Sequence, residues 1–153
     1  MKPKKTALVY AVDLLSRQEQ SEQRLREKLL RKGYEDEEIE AAMARLHEKH
    51  YLDDEAACQR QFEYFYNESR NSVRQICMKL QQRGFAGSLV RQCVPEDTYE
   101  REYKAALRNL KIKYRPSADK QKMLASLYRA GFGTSVCREA VEEFTAETEE
   151  ENL

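Results

Sequence analysis

The chain has 153 residues, 35% of them charged and 41% hydrophobic, with three prolines, five glycines and a formal net charge of zero. Ala, Glu, Lys, Leu and Arg dominate, which predicts helices throughout. No apolar run approaches the ~20 residues of a membrane span, and the length suits one ordinary domain or a small array of repeats.

The N-terminal stretch MKPKKTALVYAVDLLSR starts basic and turns apolar. Asp13 interrupts it and no small-residue cleavage site follows, so a signal peptide is not expected. A first helix is predicted over Thr6–Arg17, with Leu8, Ala11, Val12 and Leu15 on one face. Ser21 is the N-cap of a second, which runs to Lys32. A third, Asp36–Lys49, carries Ile39, Ala42, Met43 and Leu46. His47 and His50 lie three apart there, too few ligands to hold a metal without further partners. Asp53 caps a fourth helix reaching Glu68. Its apolar face is Cys58, Phe62, Phe65 and Tyr66, with Tyr64 pointing elsewhere. These aromatics have the spacing of a buried stripe rather than of a base-stacking platform.

In the fifth helix Val73, Ile76, Cys77 and Leu80 fall at i, i+3, i+4, i+7. Ser72 and Gln75 form a capping-box pattern at its start. Gly84 stops it, and a short sixth helix carries Leu89, Val90, Cys93 and Val94. After Pro95 a seventh helix is predicted over Glu96–Lys113, with Tyr99, Tyr103, Ala106, Leu107 and Leu110 buried. At about 100° per residue, Arg101, Lys104, Arg108, Lys111 and Arg115 form a basic stripe beside that arc. Asp119 caps the eighth helix, with Met123, Leu124, Leu127 and Tyr128 inside and Lys122 and Arg129 outside. The ninth begins near Thr134 and buries Val136, Cys137, Ala140, Val141 and Phe144.

These helices repeat. Gly33-Tyr34, Gly84-Phe85 and Gly131-Phe132 are three like turns. Four residues before each glycine stands Leu29, Leu80 or Leu127; eight before, Leu25, Ile76 or Met123; twelve before, the caps Ser21, Ser72 or Asp119. Six after comes Ile39, Val90 or Cys137, and ten after comes Met43, Val94 or Val141. Caps, glycines and aromatics in one register predict a tandem array, each unit a leading helix followed by a helix–Gly–helix pair. The expected bounds are 1–50, 51–95 and 96–146, with an acidic tail at 147–153.

Cys58, Cys77, Cys93 and Cys137 lie in or beside apolar stripes and form no C-x-x-C. They are expected to be reduced, mostly buried and metal-free, which points to a cytoplasmic protein. Charge is unevenly spread. Residues 35–55 hold nine acids against Arg45 and Lys49, whereas residues 101–138 hold ten Lys or Arg against Glu102 and Asp119. Such a dipolar chain suits an oriented encounter with a charged partner.

No Gly-rich phosphate loop, G-x-S-x-G or metal cluster is present, so an enzyme is the poorest reading and no cofactor is expected. Paired acids such as Asp53 and Asp54 are better explained by a helix N-terminus than by catalysis. Two readings remain: a protein-binding modulator with a charged face, or a direct nucleic-acid binder built from helix-turn-helix-like units. The candidate contact residues are Arg74, Arg83, Arg101, Lys104, Arg108, Lys111, Lys122 and Arg129.

The chain also resembles a known family over nearly its whole length. The carrying residues are Leu29-Leu30-Arg31-Lys32-Gly33-Tyr34, Tyr51-Leu52-Asp53-Asp54 and Ile76-x-x-x-Leu80-x-x-Arg83-Gly84-Phe85. Ala106-Leu107 leading to Lys113-Tyr114, and Leu127-x-x-x-Gly131-Phe132, continue the match. In order and spacing these resemble the bacterial regulatory protein RecX. Departures are Ser72-Val73 where the family often has Gly-Pro, Ala57 where an aromatic is usual, and Lys79 where an acid is common. The resemblance implies an all-α, elongated and curved array of three tandem three-helix repeats. It further implies binding to the RecA filament on single-stranded DNA, lodging in its groove and limiting its growth. Strand exchange, ATP hydrolysis and RecA-stimulated repressor cleavage would fall as a result. The expected state is a monomer with no membrane partner, and direct contact with DNA is an added expectation.

Overall fold

Helix-favouring sequence punctuated by Ser, Asp and Gly produces nine α-helices and no strand among the described residues. The computed structural model describes the backbone of residues 5–151 and the side chains to residue 146. The helices are α1 (Ala7–Arg17), α2 (Glu22–Lys32), α3 (Asp36–Glu48), α4 (Asp54–Glu68), α5 (Val73–Gln82), α6 (Gly87–Cys93), α7 (Tyr99–Lys113), α8 (Lys120–Arg129) and α9 (Thr134–Glu151). They fall into three successive three-helix repeats. Side chains beyond residue 146, and residues 152–153 entirely, lie outside the described residues, so most of the expected acidic tail does too.

The starts and stops follow local chemistry. The hydroxyls of Thr6 and Ser21 accept the amides of Val9 and Arg24, and Asp119 accepts that of Gln121. Ser72 and Gln75 complete the expected capping box: the Gln75 amide reaches Ser72 Oγ at 3.1 Å and the Ser72 amide reaches Gln75 Oε1 at 3.3 Å. The three glycines have φ of 108°, 96° and 94°. Behind each, the aromatic amide returns to a leucine carbonyl: Tyr34 to Leu29, Phe85 to Leu80 and Phe132 to Leu127, at 3.2–3.3 Å. That six-residue closure is a Schellman motif, with leucine and aromatic packed across it. α7 starts three residues later than expected, because Asp97 Oδ1 takes the Tyr99 amide at 3.0 Å in a local turn.

The chain divides into two compact units. Unit 1 comprises residues up to Gln61 together with Leu80–Cys93; unit 2 comprises Phe62–Lys79 and everything from Val94. In unit 1, Ala7 and Ala11 of α1 pack with Leu25 and Leu29 of α2 and with Ile39, Met43 and Leu46 of α3. The α1 face is centred on these alanines, and Val12, expected inside, is 39% exposed. In unit 2, Ala105, Ala106 and Leu110 of α7 pack with Met123 and Leu127 of α8 and with Cys137, Val141 and Phe144 of α9. Tyr99 and Tyr128, also expected inside, are 40% and 44% exposed. Tyr103 and Leu107 instead flank the α7 face, which rotates toward Ala105 and Glu102.

A paired latch recurs in the two units. In unit 1, Ser21 Oγ donates to the Arg83 carbonyl at 2.6 Å, while Asp54 Oδ1 accepts the Glu22 amide at 3.0 Å. In unit 2, Ser72 Oγ donates to the Ala130 carbonyl at 2.6 Å, while Glu102 Oε1 accepts the Val73 amide at 2.9 Å. Each time, the N-cap serine of one repeat seats on the residue before the next repeat's glycine. An acid from that next repeat's leading helix then satisfies the first orphan amide of the capped helix. A Cβ on Gly84 would stand 2.5 Å from Ser21 Oγ, and one on Gly131 would stand 2.8 Å from Ser72 Oγ. These glycines therefore meet two demands at once, positive φ and close approach.

Candidate functional site

The basic residues singled out from sequence divide between the units: Arg83 belongs to unit 1 and the other seven to unit 2. Lys104, Arg108 and Lys111 stand exposed on α7, Lys122 and Arg129 on α8, and Arg74 on α5. Lys104 pairs with Glu100 one turn earlier at 3.6 Å, both side chains at least 70% exposed. Such a pair contributes a few tenths of a kcal/mol at most. Among the described residues Arg108, Lys111, Lys122 and Arg129 make no salt bridge, so their charge is directed at solvent. Arg108 borders two adjoining grooves of unit 2. One is walled by Tyr66, Asn67 and Lys104; the other by Arg70, Gln75 and Lys113. Arg70 is oriented there by Asn109, which accepts from its Nε at 3.2 Å and donates to its carbonyl at 2.8 Å.

Arg101 departs from the stripe on which the sequence reading placed it. Its side chain is only 13% exposed. The guanidinium donates to the carbonyls of Tyr66 and Ser69 at 2.9 Å each, and further to those of Phe65 and Asn71. It also lies 5.0 Å from the Tyr66 ring centroid and 2.9 Å from Glu102. These carbonyls belong to the last turn of α4 and the loop after it, where a cation also meets the negative end of the helix dipole. Glu102, one residue on, holds the start of α5. Together they build the α4–α5 loop. The 3.6-residue period locates Arg101 beside the apolar arc but does not tell a side chain turned to solvent from one turned onto a neighbouring helix end.

Arg83 is half-buried and donates to Gln61 Oε1 at 2.8 Å, while its own carbonyl receives Ser21. The stem of Arg74 passes beside Gly131. Both residues have structural duties in addition to their charge.

Unit 2 carries an acidic groove as well, which the sequence reading missed. Tyr99, Glu100 and Tyr103 of α7 line it with Glu139, Glu142 and Glu143 of α9. The two tyrosine rings stack with centroids 6.3 Å apart. Burial, followed by the charges of Glu143 and Glu100, raises the Tyr103 pKa above the ordinary phenol value. The signal was present in the E-x-x-E-E spacing of α9, but the basic window ended one residue before it. In unit 1 the acids Asp36, Glu37 and Glu38 occupy the first turn of α3, where the helix dipole favours them. His47 pairs with Glu22 beside Asp54. Burial raises the Asp54 pKa, with Glu22 and Asp53 adding to the rise and the Glu22 amide and His47 opposing it. Among the described residues no three His, Cys, Asp or Glu side chains come together as a metal site. No helix among them is long and apolar enough to cross a membrane.

Comparisons place this geometry among known proteins. Residues 7–46 match the family model described as RecX, first three-helix domain. A Regulatory protein RecX of Vibrio parahaemolyticus is 32% identical over 126 residues, covering 80% of this chain and 81% of that protein. A Regulatory protein RecX of Syntrophotalea carbinolica is 46% identical over 55 residues, a match spanning 36% of each. The crystal structure of RecX from Lactobacillus salivarius superposes with a TM-score of 0.76 at 16% identity, over 90% of this chain and 94% of that one. A second crystal structure, of regulatory protein RecX, gives 0.77 at 23% identity over 89% and 71%.

Proposed function

The chain belongs to the RecX family of regulatory proteins, and from that premise we propose that it binds the RecA filament on single-stranded DNA and restrains its activities. Recombinase, ATPase and coprotease functions would all fall as filament growth is limited. The action is by binding rather than catalysis, in the cytoplasm, as a monomer, within DNA repair and the SOS response. The three repeats would act as one binding array with bounds near 1–50, 51–95 and 96–146.

The observation that carries the reading furthest is the exposed row Lys104, Arg108 and Lys111, together with Lys122 and Arg129. Apart from the weak Lys104–Glu100 contact, these charges make no salt bridge among the described residues. Long cations on a packed helix form an electrostatic footprint for phosphates or for acidic protein patches. The acids of α3 would repel a bare DNA backbone, so a filament that offers both protein and DNA suits the chain better than DNA alone.

A second reading is direct nucleic-acid binding. It draws on the unit 2 groove that Tyr66, Lys104 and Arg108 line together, since a groove edged by cations suits the phosphates of a single strand. One pair of measurements separates the two. RecA ATPase on single-stranded DNA is titrated with this protein far below one copy per RecA, and binding to naked DNA is measured at the same salt. Inhibition at substoichiometric levels with weak naked-DNA binding supports the filament reading. Equal affinity for bare and RecA-coated DNA supports the second.

A further inference from the structure

Cys58 and Cys93 are distant in sequence and adjacent in space. Cys58 is on α4 and wholly buried; Cys93 is the last residue of α6 and 9% exposed. Their sulfurs are 3.7 Å apart, and Cys93 Sγ also lies 3.3 Å from the Leu89 carbonyl. Both belong to unit 1. Cys137 is sealed in the core of unit 2, where burial raises its pKa and so lowers its thiolate fraction. Cys77 is half-buried.

We propose that Cys58 and Cys93 are a thiol–disulfide modification site, closed by a small disulfide such as oxidised glutathione. Sulfurs in van der Waals contact need only a small adjustment to reach bonding distance, about 2.05 Å. The exposed edge of Cys93 makes it the entry point and sealed Cys58 the resolving group. The Cys93 thiolate attacks one sulfur of the small disulfide, forms a mixed disulfide and expels one thiolate. The Cys58 thiolate then attacks Cys93 Sγ, forms the internal bond and expels the second. The two cysteines lose two electrons and two protons; the small disulfide gains both and leaves as two thiols. The bond closes a loop that contains all of α5 and the Gly84 turn, so it restricts the unfolded chain and fastens α4 to α6.

The test uses the full chain and oxidised glutathione. After incubation, free thiols are alkylated and the protein is mapped by mass spectrometry without reduction. The expected product is a Cys58–Cys93 peptide pair that has lost two hydrogens, with Cys77 and Cys137 still alkylated. Melting should rise by several degrees and return with a dithiol reductant. Cys58→Ser should instead accumulate a glutathione adduct on Cys93, because the resolving thiol is gone. Adducts confined to Cys77, a Cys93 adduct that persists in the wild-type chain, or a bond between two copies would each overturn the proposal. The wild-type map decides the matter even if a serine variant folds poorly.

Discussion

Gly84 shows how much one position can carry. Its φ is 96°, and Ser21 Oγ occupies the space a methyl group would need. Gly84→Ala adds left-handed strain and pushes the serine off the Arg83 carbonyl. The expected cost is about 2–4 kcal/mol, from strain and one lost buried hydrogen bond. Gly133→Ala is the control, since nothing lies within 4 Å of a Cβ there; it should cost less than half as much in denaturant unfolding. Arg101 and Lys104 form a second contrast. Arg101→Ala leaves several carbonyls and Glu102 without their partner and should destabilise by about 3 kcal/mol or more, whereas Lys104→Ala should stay within about 0.5 kcal/mol. Equal effects in thermal or urea unfolding would contradict the geometry. Asp54 supplies a pH signature. Its folded pKa is raised, so the native state holds that proton more tightly than the unfolded chain does. Its contribution therefore improves as pH falls from neutral toward the ordinary carboxylate range, and is lost as pH rises through the raised value. Asp54→Asn keeps an acceptor for the Glu22 amide and abolishes this titration. The stability difference, variant minus wild type, should be most favourable to Asn near pH 7 and shrink toward pH 4.

At the scale of helices, boundaries were largely legible because they are set by neighbours in sequence. Ser21, Ser72 and Asp119 sit within three residues of the amides they cap, and Gly33, Gly84 and Gly131 follow the leucines whose carbonyls close the turns. Faces were legible where large residues made them, as with Leu25 and Leu29 in α2 or Val136, Cys137 and Val141 in α9. They were misjudged at Val12, Tyr99 and Tyr128, read as inside and found exposed, and at Ala7 and Ala105, which are buried and were passed over. A periodicity weighted by hydrophobic bulk favours a large residue such as Val12 or Tyr99 over a small buried neighbour such as Ala7 or Ala105. The long-range contacts that hold the end of α4 and the start of α5 were illegible for another reason, although those boundaries themselves were read from local signals. Arg101 reaches back 30 or more residues to its carbonyls, and no local rule links those positions. The same holds for the latches: Ser21 and Ser72 read as local caps, and their second bonds run to residues 62 and 58 positions away.

Across the whole chain, the uneven charge seen in sequence persists as an acidic α3 in unit 1 and a basic α7–α8 surface in unit 2, the latter interrupted by the α7–α9 acidic groove. The proposed binding role makes the basic row testable. Reversing Lys104, Arg108 and Lys111 together to Glu should leave helicity intact and change stability by no more than about 0.5 kcal/mol per site. Affinity for the RecA–DNA filament should fall, ATPase inhibition should weaken, and both should depend less on salt than in the wild type. Unchanged inhibition at equal salt would move the contact off this face, most naturally to the acids of the first repeat.

The series Ser21, Ser72, Asp119 has one more consequence. The two serines each present an O–H that hands the chain on to its successor. At the third position the cap is a carboxylate, bound to the Gln121 amide at 2.7 Å. An ionised carboxylate accepts hydrogen bonds and donates none, so it cannot grip the carbonyl of a further glycine turn. Asp119 thus keeps the helix start that every unit needs, without the hydroxyl proton that Ser21 and Ser72 each lend to a second repeat.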